Sequence, residues 1–163
     1  MAARTSAAPN PLARVARNVP ELPALAASIV ARLTGAAAVL YYAYDQDTLF
    51  PGRHFPRTWT FAIVIAGIAL LSLVPWARVA TRRPGLATWA SALGCGVLVF
   101  GGANLAQQPA GVVALAAGVL AWLAFAAASS RRPGAAGANV SGLLSGSLVS
   151  FVTVGGCVLL IGG

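Results

Sequence analysis

Five apolar stretches, each about as long as a bilayer is thick, dominate the sequence. A membrane-spanning helix needs about 20 mainly apolar residues, because the hydrocarbon core is about 30 Å thick and a helix rises about 1.5 Å per residue. The stretches cover residues 22–44, 58–76, 86–104, 111–129 and 139–161. They predict an all-α integral membrane protein, a bundle of five transmembrane helices, with four spans as the alternative.

The composition favours lipid over water as the main solvent. Of the 163 residues, 58% are hydrophobic and only 9% are charged, whereas a soluble domain carries about 25% charged residues. Proline and glycine punctuate the connectors between the stretches, as is typical of helix ends. We expect two parts: a cytoplasmic N-terminal arm at residues 1–21, partly disordered, and a transmembrane helical domain at residues 22–163.

The arginines predict the orientation of the bundle, because cytoplasmic connectors carry an excess of basic residues. Eight arginines lie in the N-terminal arm and in the second and fourth connectors, against two in the first connector and none in the third. This distribution predicts an N-in/C-out topology. The absence of lysine, with abundant alanine, glycine and arginine, is typical of a GC-rich bacterial genome. We therefore expect a multi-pass protein of the bacterial cytoplasmic (inner) membrane.

A cleaved secretory signal peptide is the rival interpretation of the first stretch. The chain begins with a basic segment, and Ala36, Ala37 and Ala38 fit a small-residue cleavage site. However, Arg32 interrupts the apolar run, and the run is long for a signal peptide. We therefore expect the first stretch to be retained as a span.

Arg32 is the only charged residue inside the predicted spans. A charge near the bilayer centre costs about 2.5–3.5 kcal/mol on insertion scales. The nearest acids on the same helix, Glu21 and Asp45, lie about 16–20 Å away along its axis. Two interpretations stay open. Either Arg32 faces the bundle interior and meets an anion, a substrate group or an acid of another subunit, or its guanidinium reaches the cytoplasmic interface.

The first connector and its flanks gather most of the remaining ionisable groups of the outer side. The candidate outer-loop site comprises Asp45, Asp47, Arg53, His54 and Arg57. Carboxylate and imidazole groups can ligate a divalent cation. However, the spacing is not that of a metal site, and Arg53 beside His54 would repel a cation. We expect a salt-bridged loop, with no metal and no cofactor.

Small residues four positions apart predict close helix packing. Gly142, Gly146 and Ser150 share one face of the fifth span, and Ala90 and Gly94 share one face of the third. Small side chains let two helix backbones approach closely. We expect these residues to pack helices within the bundle, with an oligomer or partner interface as the alternative.

The sequence carries no motif that predicts catalysis. It lacks a glycine-rich phosphate loop with a following lysine, a nucleophile elbow and a zinc-protease motif. Cys95 and Cys157 have no second cysteine or histidine at ligand spacing. The arginines do not alternate with aromatic residues as on nucleic-acid-binding surfaces. We therefore expect neither an enzyme nor a nucleic-acid-binding protein.

Two functional hypotheses remain. The first is a non-catalytic accessory or assembly subunit of a larger membrane complex, because the loops are short and no polar network is expected in the interior. The alternative is a small carrier or channel for an anionic or lipid-like solute, with Arg32 as the binding charge. The expected partners are the lipid bilayer and either another membrane protein or further copies of this chain.

Overall fold

The computed structural model describes residues 22–49, 56–74 and 84–161. Within them the chain forms five helices and no strand: α1 (Leu22–Leu49), α2 (Pro56–Leu71), α3 (Pro84–Asn104), α4 (Pro109–Ser129) and α5 (Ala135–Ile161). Each helix coincides with most of one predicted stretch, so the prediction of an all-α helical membrane bundle is confirmed. The predicted N-terminal arm lies outside the described residues.

Four of the five helices are long and apolar enough to cross a membrane, and α2 is the shorter one. α2 has 16 residues, which corresponds to a length of about 24 Å. A turn at Ser72 interrupts it. The predicted end of this span at Trp76 lies outside the described residues. The described helices make this a multi-pass membrane protein.

Proline and glycine mark the helix ends. Pro56, Pro84 and Pro109 are the first residues of α2, α3 and α4. Proline suits the first turn of a helix because its φ angle is already helical and its missing N–H has no intrahelical acceptor there. Between α4 and α5, Gly134 has a φ of +75°, a conformation that residues with a Cβ rarely adopt. The connectors are therefore encoded by local sequence.

α3 is the central helix of the bundle. In its spanning segment 61% of the residues are buried, against 28–33% in the other three long helices. It packs most extensively on α5, then on α4, and less on α2. α1 packs mainly on α4 and on α2. Side chains from α1, α2, α3 and α4 can therefore meet in the interior.

Backbone contact joins α3 and α5. A Cβ atom added at Gly142 would overlap the carbonyl oxygen of Trp89, and one added at Gly146 would overlap that of Leu93. Only glycine permits such an approach, because any side chain would separate the two helices. Gly142 and Gly146 therefore pack within the bundle, against α3.

The apolar core fills the half of the bundle that contains the C-terminal parts of α1 and α3 and the N-terminal parts of α2 and α4. Its buried members are Val39, Ala43, Phe61, Ala62, Ile65, Ala69, Val97, Leu98 and Ala114. The N-in topology predicts that this half faces the outer leaflet. Almost all buried polar groups lie in the opposite half.

Candidate functional site around Arg32

Arg32 lies inside the bundle. Its side chain has an exposed fraction of 0%, and among the described residues it is the largest of the fully buried side chains. Of the two positions that the sequence allowed, the structure has the interior one, and the guanidinium does not reach the membrane surface. The surroundings of this charge therefore decide what it can do.

Two hydroxyl groups on neighbouring helices accept hydrogen bonds from the guanidinium. Nη1 of Arg32 donates to Oγ of Ser72 at 2.8 Å, and Nη2 donates to Oγ of Ser91 at 2.9 Å. The hydroxyl of Ser72 in turn donates to the carbonyl oxygen of Ala69 at 2.8 Å. The guanidinium thereby links α1 to the end of α2 and to α3.

An aromatic ring and a thiol complete the surroundings. The guanidinium carbon of Arg32 lies 5.5 Å from the ring centroid of Phe125 on α4, within the range of a cation–π interaction. The thiol of Cys95, buried on α3, lies within electrostatic range of the guanidinium. The Nε atom of Arg32 is buried and has no hydrogen-bond partner among the described residues. The Nε–H donor is therefore free for a further contact.

The partners of Arg32 are neutral. The predicted spans contain no aspartate or glutamate, and the two hydrogen bonds that the guanidinium donates to Ser72 and Ser91 go to neutral hydroxyl groups. Hydroxyl groups satisfy N–H donors, but they do not neutralise a buried charge. Removing a charge from water costs several kcal/mol, which an opposite charge offsets best. The site thus has a positive charge for which these residues supply no counter-ion.

The guanidinium points towards the N-terminal ends of α1 and α3. Gly35 on α1 lies against Leu98 on α3, which places Arg32, three residues earlier, about level with Cys95. The acceptor Ser91 lies one helical turn nearer the N-terminus of α3. Helical side chains lean towards the N-terminus of their own helix. This end of the bundle is the one that the arginine distribution predicts to be cytoplasmic.

Further buried polar groups lie in the same half as Arg32. The hydroxyl of Ser28 donates to the carbonyl oxygen of Ala121 at 2.8 Å. Nδ2 of Asn139 donates to Oγ of Ser129 at 2.9 Å, and Thr88 on α3 is buried one turn before Ser91. The expectation that the interior has no polar network is therefore wrong. The serine, threonine and asparagine residues follow no recognisable pattern in the sequence, but they come together when the helices pack.

Most of the candidate outer-loop site lies outside the described residues, so this site stays a prediction. Asp45 is half-buried near the C-terminus of α1. Asp47 and Arg57 belong to α1 and α2, but their side chains, like the whole of Arg53 and His54, lie outside what the structure describes. Over the described ranges no group of three histidine, cysteine, aspartate or glutamate residues could hold a metal ion.

The other three residues of the predicted small-residue faces, Gly94, Ser150 and Ala90, differ in their surroundings. A Cβ at Gly94 would overlap Oγ of Ser72, so Gly94 leaves the room in which this acceptor of Arg32 lies. Ser150 is fully buried, and its Oγ has no hydrogen-bond partner among the described residues. Ala90 is half-buried on α3. Gly94 is therefore the small residue that directly shapes the surroundings of Arg32.

An apolar groove runs along the outside of the bundle between α1 and α4. Its volume is about 790 Å³, and small side chains form much of its wall, among them Ala27, Ala31, Ala116 and Ala124. Larger apolar side chains, including Val30 and Leu120, rise beside it. The groove faces the position of lipid in a membrane and can accept an acyl chain or another helix.

The fold and the site define a small helical membrane protein with a buried arginine among neutral side chains. No family model matches the chain, and neither a curated protein nor a solved structure matches it significantly. The function therefore has to be inferred from the residues around Arg32.

Proposed function

We propose that the protein binds an anionic group inside the bundle through Arg32 and acts as a small carrier or channel for an anionic or lipid-like solute. The observation that carries this proposal is the fully buried guanidinium whose hydrogen-bond partners are two neutral hydroxyl groups. An anion at this position would supply the missing opposite charge. The polar interior also removes one of the arguments for a purely accessory role.

The guanidinium is arranged for two-point binding. Its Nη1 and Nη2 atoms each have a hydroxyl acceptor, Ser72 and Ser91 respectively. A carboxylate or phosphate group can take both donors at once, and such bidentate pairs are stronger than hydrogen bonds between neutral groups. The displaced hydroxyl groups can then turn and donate to the anion. The free Nε–H of Arg32 offers a third contact.

Access to Arg32 requires a conformational change, because the side chain is not exposed. The hydrogen bond between Arg32 and Ser72 connects α1 to the end of α2. α2 packs less extensively on α3 than α4 and α5 do. A shift of the end of α2 would therefore expose the guanidinium while the α3–α5 pair stays intact. In this proposal the structure corresponds to the closed conformation.

Flux into vesicles tests the proposal. Purified protein is reconstituted into vesicles of phosphatidylethanolamine and phosphatidylglycerol, and the uptake of chloride, phosphate and lactate is measured. Arg32→Met keeps much of the side-chain volume and removes the charge. Val30→Met, on the lipid-facing side of the same helix, is the matched control. We expect anion uptake that Arg32→Met abolishes and Val30→Met preserves, with both variants helical by circular dichroism. Equal uptake by Arg32→Met and wild type would contradict the proposal.

An accessory or assembly subunit is the second candidate function, and the groove between α1 and α4 favours it. Alanine-lined grooves let a further transmembrane helix approach closely. A partner helix in the groove would contact Ala27, Ala31 and Ala116. In that role Arg32 would hold α1, α2 and α3 together, and its replacement would change stability without changing any flux.

A further inference from the structure

A smaller pocket lies between α4 and α5, near the connector that joins the two helices. Its volume is about 290 Å³, and its lining residues are Trp122, Ala126, Ser130, Ala136, Asn139 and Val140. Ligand pockets in proteins have volumes of about 300–1,000 Å³. The pocket is therefore large enough for a small polar group, but not for a whole lipid or a cofactor.

Asn139 gives this pocket an unused hydrogen-bond acceptor. The residue is 4% exposed, and its Nδ2 is bound to Ser129. Its Oδ1 has no hydrogen-bond partner among the described residues. The indole Nε1 of Trp122 donates to the backbone oxygen of Asn139 at 3.4 Å, which ties the two lining residues together. A buried amide oxygen without a donor is costly, so the pocket favours a ligand that carries a hydroxyl or ammonium group.

Two arginines come directly after a residue of this pocket in the sequence. Ser130 lines it, and Arg131, the next residue, is exposed in the connector between α4 and α5. Arg132 follows, half-buried. The opposite wall, with Ala126 and Val140, is apolar and continues along the lipid-facing surface. The pocket therefore combines a hydrogen-bond acceptor with an apolar wall, and the exposed Arg131 follows its lining residue Ser130 in the chain.

We propose that this pocket between α4 and α5 binds the headgroup of an anionic phospholipid that carries a hydroxyl donor, of the phosphatidylglycerol type. In this proposal Arg131 binds the phosphodiester, and the headgroup hydroxyl donates to Oδ1 of Asn139. One acyl chain follows Ala126 and Val140 into the bilayer. Basic pockets between helices on the predicted cytoplasmic side have the charge that such lipids require. This site is separate from Arg32 and does not depend on the function proposed for it.

Quenching of Trp122 fluorescence tests this site. Trp59, Trp76 and Trp89 are replaced by phenylalanine, and the full chain is reconstituted into phosphatidylcholine vesicles with increasing fractions of acyl-brominated phosphatidylglycerol. We expect Trp122 to be quenched well beyond the bulk fraction of the brominated lipid. Brominated phosphatidylcholine, which has a phosphate but no hydroxyl donor, should quench only in proportion to its fraction. A variant in which Trp89, on α3, is the single tryptophan serves as the control and measures the quenching by bulk lipid.

Two variants test the contact with the phosphodiester and the contact with the headgroup hydroxyl separately. Arg131→Gln should lower the apparent affinity for phosphatidylglycerol about tenfold, the effect of losing one charge-assisted contact. Arg83→Gln, in the other predicted cytoplasmic connector, is its charge-matched control and should change nothing. Asn139→Leu should weaken the preference for phosphatidylglycerol by removing the hydroxyl contact, whereas Asn104→Leu, exposed near the other end of the bundle, should leave it unchanged.

Three results would overturn the proposal. The first is equal quenching of Trp122 by the two brominated lipids. The second is an Arg131→Gln variant with unchanged lipid preference, which remains informative even if Asn139→Leu does not fold. The third is full competition by inorganic phosphate at millimolar concentration, because the site would then bind a free anion and not a lipid headgroup.

Discussion

The guanidinium of Arg32 donates a 2.8 Å hydrogen bond to the hydroxyl of Ser72, 40 residues later in the chain. The bond is buried and joins α1 to the residue at which α2 is interrupted. Ser72 is held in place by its own bond to the backbone of α2. A charged donor thus meets a fixed neutral acceptor at the point where Gly94 on α3 leaves room for Ser72.

Removal of the Ser72 acceptor should be costly only when Arg32 is present. Ser72→Ala leaves Nη1 buried without an acceptor, and the loss of a hydrogen bond to a charged group costs about 1.5–3 kcal/mol. In an Arg32→Met background the same change should cost less than about 1 kcal/mol, the net value of an ordinary hydrogen bond. Denaturation in mixed micelles measures the free energy of unfolding of all four proteins in this double-mutant cycle.

The control for this cycle is Ser130→Ala, because Ser130 is exposed and bonds only to the backbone of its own helix. It should be close to neutral in both backgrounds. An equal cost of Ser72→Ala with and without Arg32 would show that the two residues are not coupled energetically.

Gly94→Ala should disturb the same contact from α3. Its new Cβ would overlap Oγ of Ser72, so either α2 moves away or the hydroxyl leaves Arg32. Such overpacking costs about 1–3 kcal/mol. Gly67→Ala on α2 is the matched control, since nothing lies within 4 Å of its Cβ position. If both variants unfold at the same denaturant concentration as wild type, the packing described between α2 and α3 is wrong.

Gly146→Ala should loosen the α3–α5 pair. The added methyl group would overlap the carbonyl oxygen of Leu93, and a backbone atom cannot move aside as a side chain can. We expect destabilisation of about 1–3 kcal/mol, measured as a lower unfolding midpoint. Gly137→Ala, in open space on the same helix, should be neutral or slightly stabilising, because alanine favours helix over glycine. A Gly146→Ala protein as stable as Gly137→Ala would contradict the backbone contact.

The orientation of the bundle is also testable. The distribution of arginines predicts that Gln107, between α3 and α4, faces outward and that Ser130 faces the cytoplasm. In a background with Cys95→Ala and Cys157→Ala, a membrane-impermeant maleimide applied to intact cells should label Gln107→Cys and leave Ser130→Cys unlabelled. The opposite labelling pattern would mean that the chain is inserted the other way round.

The sequence was sufficient to predict the helices because each apolar stretch has a spanning length and most begin near a proline. The predicted start at residue 111 and the observed start at Pro109 differ by half a turn. The largest differences, five residues each, are at the ends of two helices. α1 runs to Leu49 against a predicted end at Tyr44, and the regular helix of α2 ends at Leu71, before the predicted end at Trp76 outside the described residues. Hydropathy does not register the turn at Ser72, since Leu73 and Val74 beyond it are as apolar as the helix.

The site could be predicted only in part. Arg32 stands out in the sequence because a charge within an apolar stretch is rare. Ser72, Ser91 and Phe125 are common residues in membrane helices, and no local pattern links three positions on three different helices. Their convergence depends on how α2, α3 and α4 are rotated and shifted along their axes relative to one another. No spacing of residues within a single sequence predicts this arrangement. Gly94 was selected for its spacing, but its contact with Ser72 was not foreseen.

Native mass spectrometry after gentle extraction from the source membrane tests the central claim most directly. The account predicts that the wild-type chain retains a small anion or an anionic lipid. Arg32→Met should lose the anion of the interior site and keep any phospholipid of the pocket between α4 and α5, whereas Arg131→Gln should keep the interior anion. A wild-type protein that carries a second polypeptide and no anion would contradict anion binding by Arg32 and would favour the accessory role.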